Sequence, residues 1–175
     1  MKQYFIIFIS LFIMSSSYSQ SFYDISIQSI DDKEIKMSDF KDKYILVVNV
    51  ASFCGYTSQY TDLQKLSQKY ADQLVVLAVP CNQFGAQEPG KPAEIKTFCE
   101  SNYNITFPLT EKVNVKGDNQ HCLYGWLTKK SENGVGDFSV SWNFNKFLVG
   151  PKGNLIAYFK SGVSPMDGEI TTRIQ

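Results

Sequence analysis

The chain carries no excess of charge: its 17 lysines and arginines are balanced by 17 aspartates and glutamates, and it has a single arginine, Arg173. Without a basic field it has no electrostatic footprint for nucleic acid, which is excluded as a partner. It has one histidine, His121, and its four cysteines include no C-x-x-C pair. Zinc-type ligand spacing is therefore missing, and no metal or cofactor is expected. There is no internal repeat and no low-complexity linker. "GVG" at residues 134–136 is too short a signal for a nucleotide loop.

What is present fits one soluble domain: 175 residues, 43% apolar and 19% charged. The first residues stand apart. "MKQYFIIFISLFIMSSSYSQ" has one early cation, Lys2, then an apolar block over residues 4–14, then small polar residues with a small-x-small site at Ser17-Tyr18-Ser19. An uncleaved anchor would need a longer apolar block, so residues 1–19 are expected to be a secretory signal peptide and residues 20–175 the mature domain. The protein is then exported, either periplasmic or secreted. No cysteine follows the apolar block to carry a lipid. "NIT" at residues 104–106 is a glycosylation acceptor only in a eukaryotic host.

The cysteines are Cys54, Cys81, Cys99 and Cys122. An exported protein can hold disulfides, and four cysteines allow three full pairings that spacing cannot choose between. Each could be a buried structural thiol, half of a static bridge or a reactive group.

The element order is legible. "FYDISIQSIDDKEIKM" alternates about Asp31-Asp32 as a short N-terminal hairpin. "YILVVNVA" is a continuous apolar, β-branched run, the mark of a strand buried on both faces, and "LVVLAVPC" is another. Between them Tyr60, Leu63, Leu66 and Tyr70 recur at helical spacing, so the three form a βαβ unit with parallel strands. "KPAEIKTFCESNY" predicts a helix with proline in its first turn and Ile95, Phe98 and Cys99 on one face. "HCLYGWLTKK" predicts a further helix, and "SENGVGD" a turn-rich loop. "FNKFLVGPKGNLIAYFKSG" predicts a hairpin turning at residues 150–153. A βαβ half followed by a hairpin is the order of a thioredoxin-like α/β fold, with a central mixed sheet flanked by helices.

Cys54 follows the first buried strand and precedes the first helix, at the sheet edge where ligands of open α/β sheets collect. Helix N-terminal N–H groups there would favour a thiolate, and Gly55 would let the backbone turn and admit a small electrophile. Cysteine also fills cores, so position alone leaves the question open. "PCNQFGAQEPG" follows the second parallel strand and is expected to meet Cys54, bringing Asn82, Gln83, Gln87 and Glu88. "SWNFNKF" adds two donors, the indole of Trp142 and the amide of Asn143.

"NVASFCGYT", "PCNQFGAQEPG" and "WNFNKFLV" resemble, in order and separation, the three signature blocks of the glutathione peroxidases. The resemblance runs over about residues 22–170. It implies a peroxidase in which Cys54 is the peroxidatic residue, at the place where many members carry selenocysteine. Gln87, rather than Gln83, matches the family's glutamine, and Trp142 and Asn143 match the rest of its catalytic tetrad. Cys99 in "EIKTFC" falls where one branch carries a resolving cysteine. That branch forms an internal disulfide and is reduced by thioredoxin-like proteins. The resemblance thus implies reduction of hydrogen peroxide and organic hydroperoxides through a Cys54 sulfenic acid resolved by Cys99.

Glutathione is the weaker alternative as reductant, because "GYTSQYTD" after Cys54 offers no cation for an anionic tripeptide. A redox relay passing the disulfide to a client would use the same residues, and a non-catalytic domain with static disulfides would use none of them. The short segment between Trp126 and Trp142 resembles monomeric members. Cys122 replaces the usual proline after the family's histidine and is given no catalytic role. Cys81 is expected to be structural.

Overall fold

The computed structural model describes residues 21–174. The expected signal peptide lies outside them. The chain opens with β1 (Ser26–Gln28) and β2 (Glu34–Lys36), an antiparallel hairpin in which Ile27 faces Ile35. Its turn closes through Asp32, which adopts a left-handed φ of 57°, and the Ser29 side chain accepts the Asp31 and Lys33 N–H groups.

Then come β3 (Tyr44–Val50), α1 (Gln59–Lys69) and β4 (Leu74–Pro80). β3 and β4 pair in parallel over their whole length, Tyr44 with Leu74 through Val50 with Pro80. α2 (Pro92–Tyr103) starts on the expected proline and ends at Asn104, whose left-handed φ of 51° stops the helix. α3 (Cys122–Thr128) and α4 (Lys130–Asn133) lead to β5 (Lys146–Val149) and β6 (Leu155–Phe159), with α5 (Gly168–Thr171) at the end. The "SENGVGD" stretch is less loop-like than expected. Ser131 to Asn133 complete α4, which stops at Gly134 in a left-handed conformation. Asn133 explains this, because its side chain bonds both the Leu127 carbonyl and the Val135 and Gly136 N–H groups.

The central sheet runs β4-β3-β5-β6, parallel at β4/β3 and antiparallel beyond. It is the mixed sheet expected. Alternation along β3 sends Leu46, Val48 and Val50 to one face, where Tyr60, Leu63 and Leu66 of α1 and Ile95 and Cys99 of α2 pack. Ile45 and Val47 face the other side, against Leu123, Tyr124 and Leu127 of α3. Burial on both faces is why the strand reads as an unbroken apolar run.

This topology sets up the site. Parallel β3 and β4 finish at one edge of the sheet, and antiparallel β5 begins there. The segments after Val50, after Pro80 and before Lys146 therefore converge.

Candidate active site

The chain leaves β3 in successive tight turns. The Thr57 N–H bonds the Cys54 carbonyl at 3.0 Å, and the Cys54 N–H bonds Thr57 Oγ1 at 2.9 Å. These turns delay α1 to Gln59, so Cys54 is farther from a helix end than the sequence suggested. The donor that reaches its sulfur is the Tyr56 backbone N–H, 3.4 Å from Sγ. Gly55 also differs from expectation. Its φ is not left-handed, and a Cβ there would meet nothing within 4 Å. What the glycine offers is open space beside Cys54. The cysteine itself is 8% exposed, between the far more open Phe53 and Tyr56.

The loop after β4 folds back on this turn. Gly85 and Ala86 are both left-handed, with φ of 63° and 52°, and they return Gln87 toward the β3 side. The Gln87 carbonyl accepts the Phe53 N–H at 3.0 Å. Its side-chain Oε1 accepts Asn143 Nδ2 at 2.9 Å, which directs the donor end of the Gln87 amide away from Asn143. The other amides of the loop do structural work. Gln83 Oε1 accepts the Val115 and Lys116 N–H groups at 2.7 and 3.1 Å, and Asn82 Oδ1 accepts the Glu88 N–H at 2.8 Å. Cys81 is buried, as expected, and its pKa is raised by burial.

Trp142 and Asn143 arrive from the segment before β5. The Trp142 ring is 39% exposed and packs at a tilt against Phe84, centroids 5.8 Å apart. Asn143 is fully buried, with Oδ1 unpartnered. Phe144 follows with a left-handed φ of 62°, a conformation that costs a bulky residue about 1–3 kcal/mol. Asn49, next to last in β3, secures this turn. Its Nδ2 donates to the Trp142 carbonyl at 2.9 Å, its Oδ1 accepts the Asn145 N–H at 3.0 Å, and its carbonyl accepts the Phe144 N–H at 2.6 Å. The sequence reading missed Asn49, although a lone amide inside "YILVVNVA" was a signal. One cation also comes closer than anticipated: Lys116 Nζ lies 4.5 Å from the centre of the Phe84 ring that carries Trp142.

Cys99 lies on the buried face of α2 with no exposure, in the same apolar cluster as Cys54. Burial pushes its thiol up to about 11, with the charges of Glu88 and Glu100 adding to the rise and the facing Tyr60 hydroxyl opposing it. The Tyr60 hydroxyl meets no partner in good hydrogen-bond geometry. All four cysteines are free thiols. Between the Cys54 turn and α2 lies a pocket of about 420 Å³, lined by Ser52, Phe53, Glu88, Gly90, Ile95 and Phe98. Glu88 is fully buried there, and both carboxyl oxygens lack hydrogen-bond partners. Burial raises its pKa, against the opposing effects of Ser52 and Lys112.

The model of the family described as "Glutathione peroxidase" matches residues 22–128 of this chain. The chain belongs to the glutathione peroxidase family. Glutathione peroxidase-like peroxiredoxin 2 of Saccharomyces cerevisiae is 42% identical over 153 residues, covering 86% of this chain and 94% of the yeast protein. Among solved structures, that of Trgpx in apo form superposes with a TM-score of 0.69 at 38% identity, covering 89% of this chain and 94% of that one. A thioredoxin-family thiol:disulfide interchange protein from Chlorobium tepidum TLS superposes with a TM-score of 0.64 at 15% identity, covering 91% and 99%. The last likeness bears on fold alone, and the fold is thioredoxin-like.

Proposed function

We propose that this glutathione peroxidase family protein is a thiol peroxidase. Cys54 is the attacking atom, Gln87, Trp142 and Asn143 are its donors, and Cys99 is the resolving thiol. The observation that carries this reading is the pair of bonds through Gln87: its carbonyl to the Phe53 N–H at 3.0 Å and its Oε1 to Asn143 Nδ2 at 2.9 Å. They tie three segments far apart in sequence to one another next to the Cys54 turn, which supports this reading.

In the first step the Cys54 thiolate attacks the terminal oxygen of a hydroperoxide. The S–O bond forms as the O–O bond breaks, giving sulfenic acid and an alkoxide or hydroxide that takes a proton to leave as alcohol or water. Neutral amide and indole donors suit the developing negative oxygen, because they stabilise it without titrating. In the second step the Cys99 thiol condenses with the sulfenic acid, forming a disulfide and releasing water. A thioredoxin-like dithiol then reduces the disulfide and is itself oxidised. Hydrogen peroxide fits the open approach at Gly55, and the largely apolar pocket beside Phe53 suits the organic part of a larger hydroperoxide. We assign export by the residues 1–19 signal peptide, in a periplasmic or secreted setting, and a monomeric state.

The test is stopped-flow oxidation of wild type, Cys54→Ser and Cys99→Ser. Loss of Cys54 is expected to abolish hydroperoxide consumption. Loss of Cys99 is expected to preserve the first oxidation and stop thioredoxin-driven turnover. Normal turnover of Cys99→Ser with thioredoxin would overturn the two-cysteine route.

A further inference from the structure

Lys146 is the one lysine among the described residues with no exposure at all, on β5 between Val48 of β3 and Phe159 of β6. A long cation in that position is unusual unless paired, and taking its charge out of water carries a desolvation penalty. Among the described residues the ion pairs are made by Lys36, Lys65 and Lys96, so no carboxylate pairs with Lys146.

Its partners are carbonyls. Nζ donates to the Phe144 carbonyl at 2.8 Å and lies 3.5 Å from the Ser161 carbonyl. The Ser161 hydroxyl donates to the Asn143 carbonyl at 2.6 Å, and Gln59 Nε2 of α1 donates to the Ser161 carbonyl at 2.7 Å. A bracket therefore runs from the start of α1, through Ser161 just beyond β6, to the left-handed turn that presents Trp142 and Asn143. From Asn143 it continues to Gln87.

We propose that Lys146 is a positioning residue for the peroxide step: its buried ammonium pins the Phe144 carbonyl and so holds the Trp142–Asn143 pair where Cys54 needs it. The inference rests on the peroxidase reading above. It assigns a role to a lysine that touches no substrate and whose burial is otherwise unexplained.

The groups around Lys146 make the pin pH-sensitive. Val48, Phe159, Ser161 and Gln59 do not titrate, and Tyr60 of α1, which packs on Phe144 at 5.5 Å, is held neutral by burial. With only burial acting, the ammonium is pulled down to about 7. Below that pH it donates as a charged group, about twice as strongly as a neutral one, and above it the hold on Phe144 weakens. Stability runs the other way. Between about 7 and the ordinary lysine value the unfolded chain binds the extra proton, so the fold gains stability as pH rises.

The test compares wild type with Lys146→Met. The variant is expected to melt higher than wild type at pH 6, with a smaller difference at pH 9. It is expected to oxidise Cys54 about ten- to a hundredfold more slowly at pH 6, with the wild-type advantage shrinking as pH rises through 7. A variant that oxidises at the wild-type rate across this range would overturn the proposal. Should the variant misfold, NMR of the wild type decides. The Asn143 side-chain amide and Phe144 N–H signals are expected to move with the same midpoint as the Lys146 Cε signal, and independence would overturn the proposal. If wild-type Cys54 consumed no hydroperoxide, the peroxidase reading would fall, while the NMR midpoints would still decide whether Lys146 holds this turn.

Discussion

The ring of Phe53 lies 6.1 Å from the ring of Phe98. Each residue immediately precedes one of the two proposed redox cysteines, so the neighbours of Cys54 and Cys99 already touch. The cysteines themselves differ in setting: Cys54 is nearly buried in a turn beside the open Phe53 and Tyr56, and Cys99 is sealed against Tyr60 on the buried face of α2. A disulfide needs Cα atoms within about 7 Å and Cβ vectors that converge. Turning Cys99 out of the core toward such a geometry is expected to loosen α2 around the Phe98 contact.

Local unwinding of residues 91–102 on oxidation follows from this. Hydrogen exchange is expected to show these amides less protected in the Cys54–Cys99 disulfide form than in the reduced form, while β3 and β4 are unchanged. Equal protection in both forms would show that the disulfide closes without the helix opening.

Gln87→Ala removes the amide that Asn143 orients. The rate constant for Cys54 oxidation is expected to fall by about a hundredfold, the usual effect of losing one donor to a developing oxyanion. The melting temperature is also expected to fall, because the buried Asn143 Nδ2 loses its acceptor at a cost of about 1–3 kcal/mol, although the backbone bond from Phe53 to the residue 87 carbonyl survives. Rapid-mix oxidation measured on the Cys99→Ser background isolates this step. A loss under threefold would remove Gln87 from the chemistry.

Glu88 offers a test by stability. Burial raises its pKa in the folded state, so the folded protein holds a proton that the unfolded chain releases. Stability is therefore full below the ordinary carboxylate range and declines as pH rises from the unfolded value through the folded one. Glu88→Gln keeps the shape and removes the titration. The variant is expected to melt above wild type at neutral pH and to match it at pH 3. The same gap at both pH values would mean that the carboxyl is not the cause.

Much of this molecule was readable because its signals are local. The apolar run at residues 44–51, the helical spacing of Tyr60, Leu63 and Leu66, and the proline at the head of α2 each report on their own segment, and each of these elements formed, with only the start of α1 displaced. The convergence of Cys54 with the Gln87 loop followed from parallel strands ending at one edge. The details that escaped depend on partners distant in sequence or on backbone shape. Gln83 and Gln87 are alike as residues. Two left-handed positions between them, at Gly85 and Ala86, send one toward Val115 and the other toward Asn143. Asn49 and Lys146 sit at strand positions where apolar residues were expected, and what they bind lies up to 96 residues away or across the sheet. The delayed start of α1 arises from the Thr57 side chain bonding back to Cys54, which favours tight turns over a helix.

The amide of Asn49 has a consequence for the order in which this protein becomes active. It joins β3 to the Trp142 turn across 93 residues, a non-local contact whose loop-closure entropy must be paid before the bond rewards it. A chain lacking its last hairpin could pair β3 with β4 and bury Leu46 and Val48 with a thiol in place. It would still have no indole and no second amide beside that thiol. On the mechanism proposed above, reactivity then arrives with the final strand pair.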